Sequence, residues 1–259
     1  MTQSPATMLT FAPMVDSETT RLVLRHYGIP YVERDHLFGW VSLLTLLHGG
    51  YGAVPLVYRL GMRLTGPRPI VDRCDAALPA ATRLVPVEPD LNRQVEADWK
   101  TFNGGMGADT AVFAYFHLLP ARALMTPIFA APVPPAEARL TPMVYPVLRF
   151  LFRTLLRLSP ARATQAADNI RAAFDATDLR IADGRRYLCG DRLTLGDIAL
   201  AAASAPLLQP AGYGAKMPPV DAMPDAIANF IGELRAHPTA AFVDRLYADA
   251  FGAATADAD

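Results

Sequence analysis

Val54-Pro55 constrains the fold of this chain more than any other feature. It sits between the glycine-rich loop Gly49-Gly50-Tyr51-Gly52 and the short apolar run Leu56-Val57-Tyr58. Proline fixes its own φ and carries no N–H, so it opens a strand better than it continues one. X-Pro is also the one common place for a cis peptide. A cis bond at this point would turn the N–H and C=O of Val54 outward, where an extended, peptide-like ligand can pair with them.

The flanking residues fit such a strand start. Upstream, Met8-Leu9-Thr10-Phe11 reads as a strand, Ala12-Pro13-Met14-Val15-Asp16 as a loop, and Ser17 to Tyr27 as a helix closed by Gly28-Ile29-Pro30. Asp16 or Ser17 is predicted to cap that helix, because a side-chain oxygen there can accept one of its orphan N–H groups. Tyr31-Val32-Glu33-Arg34 reads as a second strand and His36 to Leu47 as a middle helix. With the strand pair from Val54-Pro55, the order becomes βαβ followed by ββα.

Downstream, Tyr187-Leu188-Cys189-Gly190-Asp191-Arg192-Leu193-Thr194-Leu195-Gly196-Asp197-Ile198-Ala199 holds Thr194 and Asp197 at the spacing of a capping box. This segment is similar to the "YLxGDxxTxADIA" stretch of the glutathione transferase superfamily. Thr20 to Tyr31 resembles that family's first helix and its "KGIPYE" exit, and Val54-Pro55 stands where its cis-proline would be. The resemblance covers nearly the whole chain. It implies an α/β thioredoxin-like domain over residues 1–84, a linker over 85–90 and an all-α helical bundle over 91–259. It also implies a homodimer, with glutathione as co-substrate.

Composition agrees with two modest domains: 259 residues, 52% hydrophobic. A formal net charge of −1 gives no electrostatic case for nucleic acid. Cys74 and Cys189 stand outside any metal or CxxC spacing and suggest a reducing, cytoplasmic setting. No secretory signal is visible. Two apolar stretches, Val112 to Val133 and Met143 to Leu158, carry too many charges and prolines to span a membrane. The stripe Arg149, Arg153, Arg157 reads as the wet edge of a core helix, with a membrane-surface role as the alternative. The connector Leu84-Val85-Pro86-Val87-Glu88-Pro89-Asp90 separates the mixed part from a purely helical one. There, helices are predicted over Leu91–Thr101, after the Gly104-Gly105-Met106-Gly107 break, and over Ala138–Leu158, Arg162–Leu179, the capping-box helix to Leu207, Pro224–Leu234 and Ala240–Ala250. Thr255 to Asp259 reads as a frayed tail.

The chemistry departs from the family pattern. The resemblance puts the family's catalytic Ser, Tyr or Cys at Met14, whose thioether neither donates a proton nor forms a thiolate. The nearest hydroxyl is Ser17, at a helix N-terminus where free N–H groups and the dipole would help hold a thiolate. Thr10 and Thr19 are weaker substitutes. Gly66-Pro67 replaces the family's Glu-Ser pair, so the remaining glutathione contacts would be Val54 and Pro55 with Arg68, His48 and Arg34. Glutathione would then bind weakly, bind differently, or be replaced by another acidic ligand. Met14, Met106, Phe113, Tyr115, Phe116, Tyr145, Phe150 and Phe152 would wall the site for a small hydrophobic molecule, with Tyr213 or Lys216 reaching in from the loop Pro210–Pro219. No metal site is predicted, since the five histidines form no ligand pairing, and no G-x-S-x-G elbow occurs. Two functions stay open: a glutathione transferase-like enzyme acting on a hydrophobic electrophile, or a ligand-binding or interaction protein that kept the fold without the chemistry.

Overall fold

A computed structural model describes residues 4–59 and 61–250. It opens with β1 (Ala6–Thr10), α1 (Val15–His26), β2 (Tyr31–Asp35), α2 (Trp40–Leu47), β3 (Leu56–Arg59), β4 (Met62–Thr65) and α3 (Pro67–Ala76). The four strands make one mixed sheet in the order β2-β1-β3-β4. β1 runs parallel to β2 (Met8 opposite Glu33) and antiparallel to β3 (Leu9 opposite Leu56). Central β1 buries Met8 and Leu9, and α1, α2 and α3 close over it with Leu22, Val41 and Val71. The fold is therefore the thioredoxin-like α/β unit followed by helices, and among the described residues no strand follows β4.

Proline placement governs the helical part. Helices α4 (Pro89–Trp99), α7 (Pro135–Leu155), α8 (Pro160–Ile181) and α11 (Pro238–Ala250) all open on proline, at the position whose N–H would be an orphan anyway. Between them lie α5 (Gly107–Leu118), α6 (Arg122–Ala130), α9 (Leu195–Leu208) and α10 (Asp225–Arg235). Helix α6 stands apart from α5, and α7 holds Pro142 and Pro146 within the stretch predicted as the Ala138–Leu158 helix. The expected break at Gly104-Gly105 is not one. Lys100–Met106 forms a π-helical segment joining α4 to α5, in which Gly107 N–H bonds the Phe102 carbonyl. The predicted tail lies outside the described residues.

Helix α9 is the hub. Every one of its residues is buried, as a helix apolar on all sides must be, and alanines let α1, α4, α5 and α11 approach it closely. Gly196 belongs to the same packing, because a Cβ there would lie 2.8 Å from Asp98. The start of α9 is held by Asp197, whose carboxylate accepts from Thr194 N–H (2.8 Å), Thr194 Oγ1 (2.8 Å) and Leu188 N–H (2.7 Å). Burial pushes the Asp197 carboxyl up to about 6 against those hydrogen bonds. The connector is pinned rather than loose. Asp75 accepts from the N–H groups of Leu84 and Val85 and from the Tyr27 hydroxyl, while Leu195 N–H donates to the Leu84 carbonyl.

Thr194→Ala should destabilise the protein by ~1 kcal/mol, the usual worth of a helix cap. Asp197→Ala strands two buried backbone donors and should cost ~3 kcal/mol or more. Equal costs in chemical denaturation would contradict Asp197 as the centre of this junction.

Candidate functional site

The site forms where β1 ends. Continuing the β1–β3 register beyond Leu9 and Leu56 sets Phe11 opposite Val54. The Val54–Pro55 peptide is cis. Pro55 C=O accepts from Gly66 N–H at 2.8 Å, whereas the N–H and C=O of Val54 enter no hydrogen bond within the described chain. Met14 is the N-cap of α1 and its side chain caps nothing. Ser17 and Glu18 N–H both turn back to the Met14 carbonyl, which leaves the N–H groups of Val15 and Asp16 without a partner.

Those two residues line an interdomain cleft of about 280 Å³, closed by Met14, Phe38, Asn103, Tyr115 and Phe152. Phe152 of α7 lies against Phe11 and Phe38, so the α6–α7 hairpin seals one side with aromatic rings. The polar groups are few. Asn103 donates to the Asp16 carboxylate at 3.2 Å and accepts from Thr19 Oγ1 at 3.2 Å. Burial raises the Asp16 pKa, opposed by the Asn103 hydrogen bond. The Tyr115 hydroxyl is buried without a partner, its ring stacked on Phe152 at 4.5 Å. Asn103 stands within the π-helical segment, a distortion frequent at functional sites.

The predicted residues divide sharply. Met14 and Tyr115 do line the cleft, and Val54 stands beside the end of β1. Ser17 sits two residues inside the helix rather than at its cap. Its hydroxyl is fully buried, donates to the Phe11 carbonyl at 3.1 Å and pairs with Thr10 Oγ1, so it points into the core. Arg68 is committed to the Glu96 carboxylate (2.7 and 2.8 Å) and to Asp72, which ties α3 to α4. His48 bonds the Leu44 carbonyl and stacks on Tyr58. Arg34 is exposed on β2. Gly66, with φ +76°, and Pro67 open α3. Since Pro67 and Pro69 have no N–H and Gly66 N–H is used, Arg68 alone keeps a free amide in that first turn.

Of the aromatic wall, Met106 and Phe113 are core, and Phe113 packs on Phe230 rather than toward the cleft. Phe116 lines an outer groove with His117, and Phe150 is exposed. Tyr213 does not reach the cleft either. Its hydroxyl is buried and unpartnered behind α1, and burial pushes its pKa up. Asp16, Asn103 and Phe38 went unassigned as site residues. Asn103 precedes the glycine pair that reads as a break, and a π-turn was the available alternative.

Behind the cleft lies a buried ionic cluster. Arg21 donates to Glu33 (2.9 Å), Glu18 (2.8 Å) and the Ala12 carbonyl (3.2 Å). Glu18 also accepts from Tyr247 Oη (2.8 Å) and Gly214 N–H (3.1 Å). At the edge, burial and then the Glu33 charge push the Asp35 carboxyl up to about 7.

Residues 160–215 match the glutathione S-transferase C-terminal domain. A glutathione S-transferase from Sinorhizobium meliloti aligns over 96% of this chain and 100% of its own, with 19% identity and a TM-score of 0.54. The chain therefore has the fold of the glutathione S-transferases. A beta-etherase from a Sphingobium species superposes on this glutathione S-transferase-like chain over 93% of it and 99% of its own, at 14% identity and TM-score 0.55. A glutathione S-transferase of Ceriporiopsis subvermispora, solved in complex with glutathione, covers 95% and is itself covered over 96%, at 14% identity and TM-score 0.53. No curated protein matches the chain by sequence.

Asp35 titrates with a testable sign. Its folded pKa lies above the unfolded value, so its contribution to stability is full below about pH 4 and is lost as pH rises through about 7. Asp35→Asn should flatten the fall in stability across that window and raise the Tm at pH 8. An unchanged pH–Tm curve would remove Asp35 as a source of that dependence.

Proposed function

We propose that this protein is a glutathione transferase-like enzyme acting on a small hydrophobic electrophile, with the sulfur held by backbone amides rather than by a side-chain hydroxyl. The observation that carries it is the pair of unpartnered N–H groups, Val15 and Asp16, at the N-terminus of α1 and the edge of an apolar cleft. Helix N-terminal amides and the dipole behind them favour a thiolate. The open peptide edge of Val54 suits the backbone of a thiol-bearing peptide, and glutathione supplies the nucleophile when bound. The fit is poorer toward its γ-glutamyl end, where α3 offers only the Arg68 amide. Phe38, Tyr115 and Phe152 exclude water and orient the acceptor, so proximity supplies much of the rate. In this reading residues 1–84 bind the thiol, 85–90 connect, 91–259 hold the acceptor, and the protein works as a homodimer.

A second reading, a binding protein without turnover, is favoured by one arrangement: the Asp16 carboxylate shares the helix start where the thiolate would sit. The two readings separate cheaply. The enzyme should show a Tm that rises with glutathione concentration and should conjugate an activated aryl halide, whereas the binding protein conjugates none. No Tm shift at millimolar glutathione would sink the enzyme reading.

The Ser17 position divides structure from chemistry. Ser17→Ala removes a buried tether and should cost about 1–2 kcal/mol of stability while leaving the rate per folded molecule within about twofold. A selective loss of turnover would restore Ser17 as a catalytic hydroxyl. Asp16→Asn takes a negative charge away from the thiolate, so the pH–rate profile should move to lower pH. An unmoved profile would mean that the sulfur lies elsewhere.

A further inference from the structure

Helix α7 carries an outer face that the cleft does not use. Leu140, Met143, Val147 and Phe150 recur at helical spacing on one side, and Met143 (74%), Val147 (58%) and Phe150 (66%) are largely exposed. Contiguous apolar residues left in water at this scale mark a contact surface. Beside them runs the stripe Arg149, Arg153 and, just past the helix, Arg157. With Arg122 from α6 these line a groove of about 860 Å³, and a second groove of about 430 Å³ shares Arg149 and Arg153. No carboxylate lines either groove, and among the described residues Arg149, Arg153 and Arg157 pair with none. The one acidic side chain of α7, Glu137, is taken by His36 (2.6 Å) and the Leu37 N–H (2.9 Å).

That charge pattern selects the occupant. A second copy docked on the same face by two-fold symmetry would bring arginines toward arginines with no acid to meet them. A nucleic acid or acidic peptide would satisfy the arginines and leave Met143 and Phe150 wet. An anionic lipid surface satisfies both, its headgroups taking the arginines and its acyl boundary the apolar stripe. The neighbouring helix extends the surface. A Cβ at Gly39 would lie 3.8 Å from Leu151 of α7, so the start of α2 abuts α7, and α2 exposes Trp40, Leu43 and Leu47. Tryptophan favours the headgroup level. No helix among the described residues is long and apolar enough to cross a membrane. We propose that the α7 face, with the exposed residues of α2, docks this protein on the surface of a bilayer rich in anionic lipids, the helix lying in the plane of the interface.

Flotation of the full chain with vesicles tests it, using phosphatidylcholine alone and phosphatidylcholine mixed with phosphatidylglycerol. Binding is expected only to the anionic vesicles and should fall as salt rises. Arg149→Glu with Arg153→Glu should lower partitioning at least about tenfold, and Met143→Asp with Phe150→Asp should lower it comparably, both pairs keeping the wild-type Tm. Failure to float with anionic vesicles, or equal binding to neutral ones, overturns the proposal. So does unchanged partitioning of the folded variants, and so does an apolar-to-Asp pair that only converts a dimer to a monomer by light scattering.

Discussion

One buried guanidinium holds the two halves of this protein together. Arg21 lies inside α1 and is 1% exposed, so its charge has to be met from every side. Glu33 meets it from β2, Glu18 from one turn earlier in α1, and the Ala12 carbonyl from the loop after β1. Through Glu18 the cluster reaches the Gly214 amide and Tyr247 of α11. Gly214 has no room for a side chain, since a Cβ would run into Arg21. Pairs of this kind stabilise little relative to a well-packed apolar core, but removing one partner leaves a charge buried alone, at about 3–5 kcal/mol. Their effect here is positional. The first turn of α1, with its free amides, is fixed relative to β1, β2 and the last helix at once.

The aromatic hairpin does the complementary work on the other side of the cleft. Phe11, at the end of β1, touches Phe38, Phe129 and Phe152, and Tyr115 stacks on the last of these. The α6–α7 hairpin is thus packed onto the sheet end rather than held away from it. His36 and Leu37 reinforce the contact through Glu137. The cleft is small because these rings fill what would otherwise be its outer part.

How much of this was legible depended on whether the partner lay nearby in the chain. Thr194 and Asp197 are one turn apart, so their role as a helix start could be read directly, and the order of strands and helices followed from proline and glycine punctuation. Ser17 shows the limit. α1 begins at Val15, two residues before the predicted start, and that shift turns the Ser17 hydroxyl from the helix end to the interior. No local rule separates those registers, because Asp16, Ser17 and the loop before them are all competent helix starters. Arg68 likewise reads as a free cation until Glu96, far along the chain, arrives beside it. Tyr213 sits in a flexible-looking Gly-Tyr-Gly loop, yet the Arg21 cluster draws that loop inward.

The π-helical segment between α4 and α5 has a consequence for how this fold tolerates change in length. Each i→i+5 turn holds one residue more than an α-turn spends on the same arc, so Lys100–Met106 stores an extra residue inside an unbroken rod. Loss of a single glycine from Gly104-Gly105 would let the rod wind as plain α-helix with its two ends still in phase, since six residues at ~100° each sweep about the arc that seven cover in the wider turn. Asn103 would swing off Asp16 while α5 kept its place on α8. Here the chain can be shortened by one residue without opening a gap, and the part that moves is the wall of the cleft.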